Sequence, residues 1–115
     1  MDTIKATKAF GALAQETRLK VFRMLVHRGE AGMPAGEIAR ALDIPHNTMS
    51  SHLAVLAGAG LVSSDREGRS IIYRIDFAGM RGLLAYLLED CCQGRPEVCA
   101  PILDTLLSPG GTTAA

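Results

Sequence analysis

Cys91, Cys92 and Cys99 are the only cysteines of this 115-residue chain, and they fall within nine residues, in the run Cys91-Cys92-Gln93-Gly94-Arg95-Pro96-Glu97-Val98-Cys99. Soft thiolates gathered on one short segment are the donor set of a soft, three-coordinate ion. Adjacent helical side chains diverge by roughly 100°, so Cys91 and Cys92 can face one ion only where a helix frays or stops. Gly94 and Pro96 favour such a stop and let the chain turn back, which brings Cys99 round as a third sulfur. A structural zinc site wants four ligands. Asp90 or Glu97 would have to supply the fourth, which leaves Zn(II), Cd(II) or Pb(II) open. Other uses of the thiols stand beside a metal site. They would serve as small buried hydrophobes, or as a redox or persulfide sensor pairing Cys99 with Cys91 or Cys92. A nucleophilic Cys92 would need a base within reach. His27, His46 and His52 all lie in the N-terminal half, so no enzyme is expected.

A second group of polar residues lies upstream. His46, Asn47, Thr48, Ser50, Ser51 and His52 are short hydrogen-bonding side chains clustered within about two helical turns. Arg66 and Arg69 sit in a charged stretch, Asp65-Arg66-Glu67-Gly68-Arg69. Such groups can reach base edges and phosphates, and Arg66 and Arg69 could also enter a minor groove. The plainer reading is a solvated helix face and a solvated turn. Bulk charge does not decide, because twelve Lys and Arg balance twelve Asp and Glu. Residues 1–33 carry the excess, with six Lys or Arg (5, 8, 18, 20, 23, 28) against three acids (2, 16, 30). A DNA reader would have to rely on geometry and on doubling in a dimer; a DNA-free interaction module is the alternative.

The elements that position these residues are legible from periodicity. Residues 4–28 read as helix, with apolar Ile4, Phe10, Leu13, Leu19, Val21, Phe22, Leu25 and Val26. Gln15-Glu16-Thr17-Arg18 breaks this stretch into two helices, with Thr17 near the second start. Gly29 to Gly32 is a loop. Pro34 suits a first helical turn, and residues 36–42 form a short helix with Ile38, Ala39 and Leu42 inward. Asp43-Ile44-Pro45 is a tight connection. Residues 46–57 form the next helix, with Met49, Leu53, Val55 and Leu56 as its apolar stripe, and Gly58-Ala59-Gly60 stops it. Residues 61–64 and 70–75 read as strands joined by a loop over 65–69, with Gly68 in the turn. Phe77 to Leu88 is a long helix with Leu83, Leu84, Leu87 and Leu88 apolar. A short last helix is expected over 98–107, and a disordered tail over 108–115. One domain over 1–107 is therefore expected: mainly α with a β-hairpin wing, a winged helix-turn-helix in the order α-α-α-α-β-β-α. No leader is expected at the N-terminus, no apolar run approaches the roughly 20 residues of a membrane span, and a cytoplasmic setting with reduced thiols follows.

The residues at these positions also resemble a known family. Ala14-Gln15-Glu16-Thr17-Arg18-Leu19-Lys20-Val21-Phe22 resembles the "ALADPTRLRIL" opening of the ArsR/SmtB repressors. Residues 44–62, from Ile44-Pro45-His46 to Gly60-Leu61-Val62, resemble their recognition-helix signature "LSQSTVSRHLKVLREAGLV". Gly68-Arg69-Ser70-Ile71-Ile72-Tyr73 resembles the "GRxxYY" wing. The resemblance spans about residues 8–90 of the chain. It implies a homodimer whose first and fifth helices pack across the two-fold, and a repressor that leaves double-stranded operator DNA when an inducer binds. It implies no membrane partner and no organic cofactor. The family's "CVC" arsenite position corresponds here to Gly36-Glu37-Ile38-Ala39-Arg40, and the fifth helix lacks the histidines of its zinc sites. Metal sensing in this chain would therefore use Cys91, Cys92 and Cys99. Three thiolates suit As(III) or Sb(III), which keep a lone pair, while methylated trivalent arsenic needs only two. A "CC…C" cluster near the C-terminus is similar to that of a subset of arsenite-responsive members.

Overall fold

A computed structural model of the chain describes residues 1–88. The three cysteines, the helix expected over 98–107 and the tail expected over 108–115 lie outside the described residues.

Five helices and three short strands follow in the order α1 (Thr3–Leu13), α2 (Glu16–Arg28), β1 (Met33–Pro34), α3 (Ala35–Leu42), α4 (His46–Gly58), β2 (Val62–Glu67), β3 (Ser70–Ile75) and α5 (Phe77–Leu88), with a single 3-10 turn (Gly29–Ala31) after α2. Side chains close several helix starts, where the first backbone N–H groups have no partner in the helix. Asp2 Oδ1 accepts from the Lys5 amide at 2.8 Å. Gln15 Oε1 accepts from the Arg18 amide at 2.8 Å, which makes the sequence break at 15–18 a cap. Asp76 Oδ1 accepts from the Gly79 amide at 3.0 Å at the opening of α5. Between α3 and α4, Asp43 takes a left-handed conformation (φ 54°) and the Ile44 amide returns to the Ala39 carbonyl at 3.0 Å. That helix stop turns the chain within three residues.

The core gathers under α4. Val21 and Leu25 of α2, Ile38 of α3, Met49, Leu53 and Leu56 of α4, and Leu61 are fully buried. Each contributes roughly 1.5–3 kcal/mol by leaving water. The strands form an antiparallel sheet in the order β1-β3-β2.

Four expectations are corrected. Pro34 is not in the first helical turn: it pairs with Ile72, as Met33 does with Tyr73. Proline tolerates this edge position because no ladder N–H is required of it there, and two residues are too few to show a period. The hairpin is longer than 61–64 and 70–75. β2 runs to Glu67, and the turn shrinks to Gly68 and Arg69. Gly68 has φ +64°, as the first central residue of a two-residue II′ turn requires. Val55 is not inward but 43 % exposed. Finally, α1 faces the core with Ala6, Ala9 and Ala12, while Ile4 is 81 % exposed and Phe10 39 %. Small residues let α1 lie close against the core, where Leu13 also packs, while Ile4 and Phe10 point outward.

Candidate nucleic-acid interface

Helix α4 is two-sided. Met49, Leu53 and Leu56, at helical spacing, anchor it in the core. The opposite face exposes His46, Asn47, Thr48, Ser50 and Ser51. Helix α3 packs across it, so the short polar face is held rigidly and turned outward. Local bonds order it further: the Thr48 amide donates to Asn47 Oδ1 at 2.9 Å and Ser51 Oγ to the Asn47 carbonyl at 3.4 Å.

His52 sits apart from that face. It is half-buried, with Nδ1 3.3 Å from Arg18 Nη1. The Arg18 guanidinium also donates through Nε to the Ala12 carbonyl at 2.6 Å and through Nη2 to the Gly11 carbonyl at 3.4 Å. Arginine has donors only, so Nδ1 of His52 is the acceptor and its ring proton sits on Nε2. Arg18 thus closes the C-terminal end of α1 and ties it to α4.

The hairpin lies beside the start of α4. His46 and Ser50 on one side, Arg69, Ser70 and Tyr73 on the other, and Gly36 at the start of α3 line a cavity of about 210 Å³ between helix and wing. Arg66 pairs with Ile71 and Ser64 with Tyr73. Paired residues share a face of an antiparallel ladder, so Arg66 belongs to the face that carries Ile71 and Tyr73, which line this cavity. The acids lie on the other face. There Arg74 Nη1 bonds Asp65 Oδ2 at 2.8 Å, Nη2 bonds Glu67 Oε2 at 2.8 Å, and Nε donates to the Glu30 carbonyl at 2.8 Å. The alternating charges of 65–69 are therefore sorted onto two faces.

Sequence reasoning missed Arg18 and Arg74. The signal for Arg74 was present, since period-2 alternation aligns it with Asp65 and Glu67, but only a two-residue turn sets that register. Among the described residues no group of three or more His, Cys, Asp or Glu side chains is placed to hold a metal ion, and no helix is long and apolar enough to cross a membrane.

The geometry defines a winged helix-turn-helix. Residues 13–65 match the family model described as "Helix-turn-helix domain". The chain is 30% identical over 88 residues to the HTH-type transcriptional regulator YgaV of Escherichia coli K12, covering 76% of this chain and 87% of that one. It is 27% identical over 94 residues to the transcriptional activator HlyU of Vibrio cholerae, covering 82% and 84%. An ArsR-like transcriptional regulator from Rhodococcus sp. RHA1 superposes with a TM-score of 0.66 at 29% identity, covering 90% of this chain and 93% of that one. The protein belongs to the ArsR/SmtB family of helix-turn-helix, DNA-binding transcriptional regulators.

Proposed function

We propose that this protein is a repressor that binds operator DNA as a homodimer and releases it when trivalent arsenic is held by the thiolates of Cys91, Cys92 and Cys99. The observation that carries the DNA-binding part is the outward face of α4. Asn47, Thr48, Ser50 and Ser51 are presented on a buried, three-point anchor, with Arg66 and Arg69 in the adjoining wing. In this geometry α4 enters the major groove and its first residues meet base edges. His46 joins them at the helix start, and His52 ties α4 to α2 through Arg18.

The dimer reading rests on surface chemistry. Ile4 and Phe10 of α1 and Leu87 (51 % exposed) of α5 leave large apolar side chains in solvent, and Thr3 Oγ contacts the Tyr86 hydroxyl, which holds α1 to α5. A related winged helix-turn-helix domain, Mb0332 of Mycobacterium bovis, is homodimeric (TM-score 0.61, 27% identity, covering 77% of this chain and 82% of that one). Two copies of α4 would then read two half-sites of a palindrome.

The inducer reading rests on donor chemistry. The cysteines begin three positions beyond Leu88, the last described residue of α5. Three thiolates without a histidine fit As(III) or Sb(III) better than an ion that demands four ligands. A relative of Listeria innocua, 35% identical over 74 residues (64% of this chain, 60% of that one), is named a cadmium resistance transcriptional regulatory protein. The bound ion would act as the inducer by favouring the DNA-free state. For this the three sulfurs must hold it more tightly in that state than on DNA. A protein reading DNA with reduced thiols works in the cytoplasm. A second reading, thiol oxidation as the signal, is favoured by one observation: HlyU, which superposes with a TM-score of 0.61, has been solved in a reduced form.

The test is release of a duplex, selected from a random library, by As(III), Cd(II), Zn(II) and peroxide in parallel. As(III) is expected to release the DNA, and Cys99→Ser to abolish that release. Unchanged release from Cys99→Ser rejects the three-thiolate site. Release by peroxide and not by As(III) replaces it with the redox reading.

A further inference from the structure

We propose that Arg74 sets the charge with which the wing meets DNA, acting as a positioning residue that withdraws two carboxylates from the phosphate backbone. The inference rests on the DNA-binding reading above. Over Val62–Ile75 the wing carries three arginines, Arg66, Arg69 and Arg74, against Asp65 and Glu67. Left to themselves, the two acids would cancel the two arginines near the turn. The fold prevents this by strand alternation. Asp65 and Glu67 share a face with Arg74, and Arg66 lies on the other face with Ile71 and Tyr73, which line the cavity beside α4.

All three nitrogens of the Arg74 guanidinium are committed, to Asp65, Glu67 and the Glu30 carbonyl, each at 2.8 Å. The last contact lies in the 3-10 turn after α2, so both acids are drawn toward the body of the domain. The approach is close enough to require a glycine. At Gly32 (φ +66°) a Cβ would meet Arg74 Cγ at 2.7 Å and the Tyr73 carbonyl oxygen at 2.5 Å. A lysine offers one ammonium in place of this planar fork.

Stability does not account for the arrangement. The Asp65 and Glu67 side chains are 68 % and 58 % exposed, and exposed ion pairs contribute little to folding. Their placement matters instead to a polyanion, since unpaired carboxylates within about 8 Å of a phosphate are not screened at physiological salt. Arg74 therefore makes the wing a cationic surface without touching the nucleic acid itself.

The experiment measures affinity of the full chain for a labelled duplex of about 30 base pairs and mixed sequence across a salt series, because non-specific binding reports phosphate contacts directly. Arg74→Met is expected to weaken binding about fivefold, with the loss largest at low salt. Adding Asp65→Asn and Glu67→Gln to that variant is expected to restore wild-type affinity, a rescue that a merely structural role would not give. Arg74→Lys, which keeps the charge, is expected to lose part of the affinity; it carries the test if Arg74→Met does not fold. Wild-type affinity in Arg74→Met or in Arg74→Lys overturns the proposal. So does a triple variant as weak as Arg74→Met. The parent reading fails separately, and takes this proposal with it, if the wild-type chain binds no duplex or if Arg66→Gln with Arg69→Gln leaves affinity unchanged.

Discussion

Gly79→Ala is expected to destabilise the domain by about 1–3 kcal/mol, although alanine is the better helix former. Gly79 lies in the first turn of α5, where a Cβ would sit 1.9 Å from the Gly60 carbonyl oxygen and 3.1 Å from its carbon. Ordinary contact begins near 3.4 Å, so the two backbones would have to part by about 1.5 Å. The Gly60 side has little room to retreat. Its φ is +78°, its amide is bonded to the Ala57 carbonyl at 3.0 Å, and the next residue, Leu61, is bonded to Leu56 at 3.1 Å and to Asp76 at 3.0 Å. Overpacking of this kind costs about 1–3 kcal/mol, and moving α5 also strains the Asp76 cap, worth about 1 kcal/mol. The helix-propensity gain of about 1 kcal/mol offsets part of this. Gly58→Ala is the control. It makes the same chemical change at the end of α4, where a Cβ meets nothing within 4 Å, and a gain of about 0.5 kcal/mol is expected. Thermal unfolding at fixed protein concentration reads both, with Gly79→Ala lowering Tm by roughly 5–20 °C. A Gly79→Ala variant within about 0.5 kcal/mol of wild type would refute the packing of α5 on the loop after α4.

Arg18→Ala removes the donor that closes α1 and holds His52. A loss of about 1–2 kcal/mol is expected in denaturant unfolding, and Arg18→Lys should recover little of it, because the donors of an ammonium sit on one atom and cannot span acceptors that Nε, Nη1 and Nη2 reach separately. Nitrogen chemical shifts should place the His52 ring proton on Nε2 in the wild-type chain and lose that preference in Arg18→Ala. Ile4→Asp puts a charge on the outward apolar face of α1. It is expected to shift the particle from dimer to monomer in light scattering while the helical signal is kept; an unchanged mass would remove α1 from the interface.

Helix positions were largely legible in the residues. Polar short side chains opening an apolar stripe located α4, and α5 starts at Phe77 as expected and runs through Leu88, the last described residue. Legibility failed where a pattern depends on three dimensions. The strand at Met33–Pro34 is too short for any period and exists only because β3 lies beside it. The wing register hung on whether its turn held two residues or five, and with it the partner of Arg74. Apolar residues of α1 fit a helix equally well facing in or out, and the alanines took the core. His52 looked like one more polar residue of α4, yet the step of roughly 100° from Ser51 rotates it onto Arg18. The outward polar set of α4 was readable from chemistry and spacing, whereas the residues that hold it in place act through contacts with distant elements.

The central claim is that the outward face of α4 reads DNA, and one measurement tests it most directly. Wild-type, Asn47→Ala and Ser51→Ala chains are compared for affinity toward a library-selected duplex and toward a scrambled one at the same salt. Both side chains are exposed and bonded only within α4, so both variants should stay folded. A base-edge contact is worth about 1–3 kcal/mol of discrimination, so the ratio of selected to scrambled affinity should fall by roughly 5- to 150-fold in at least one of them. An unchanged ratio in both, with folded protein, would contradict the account.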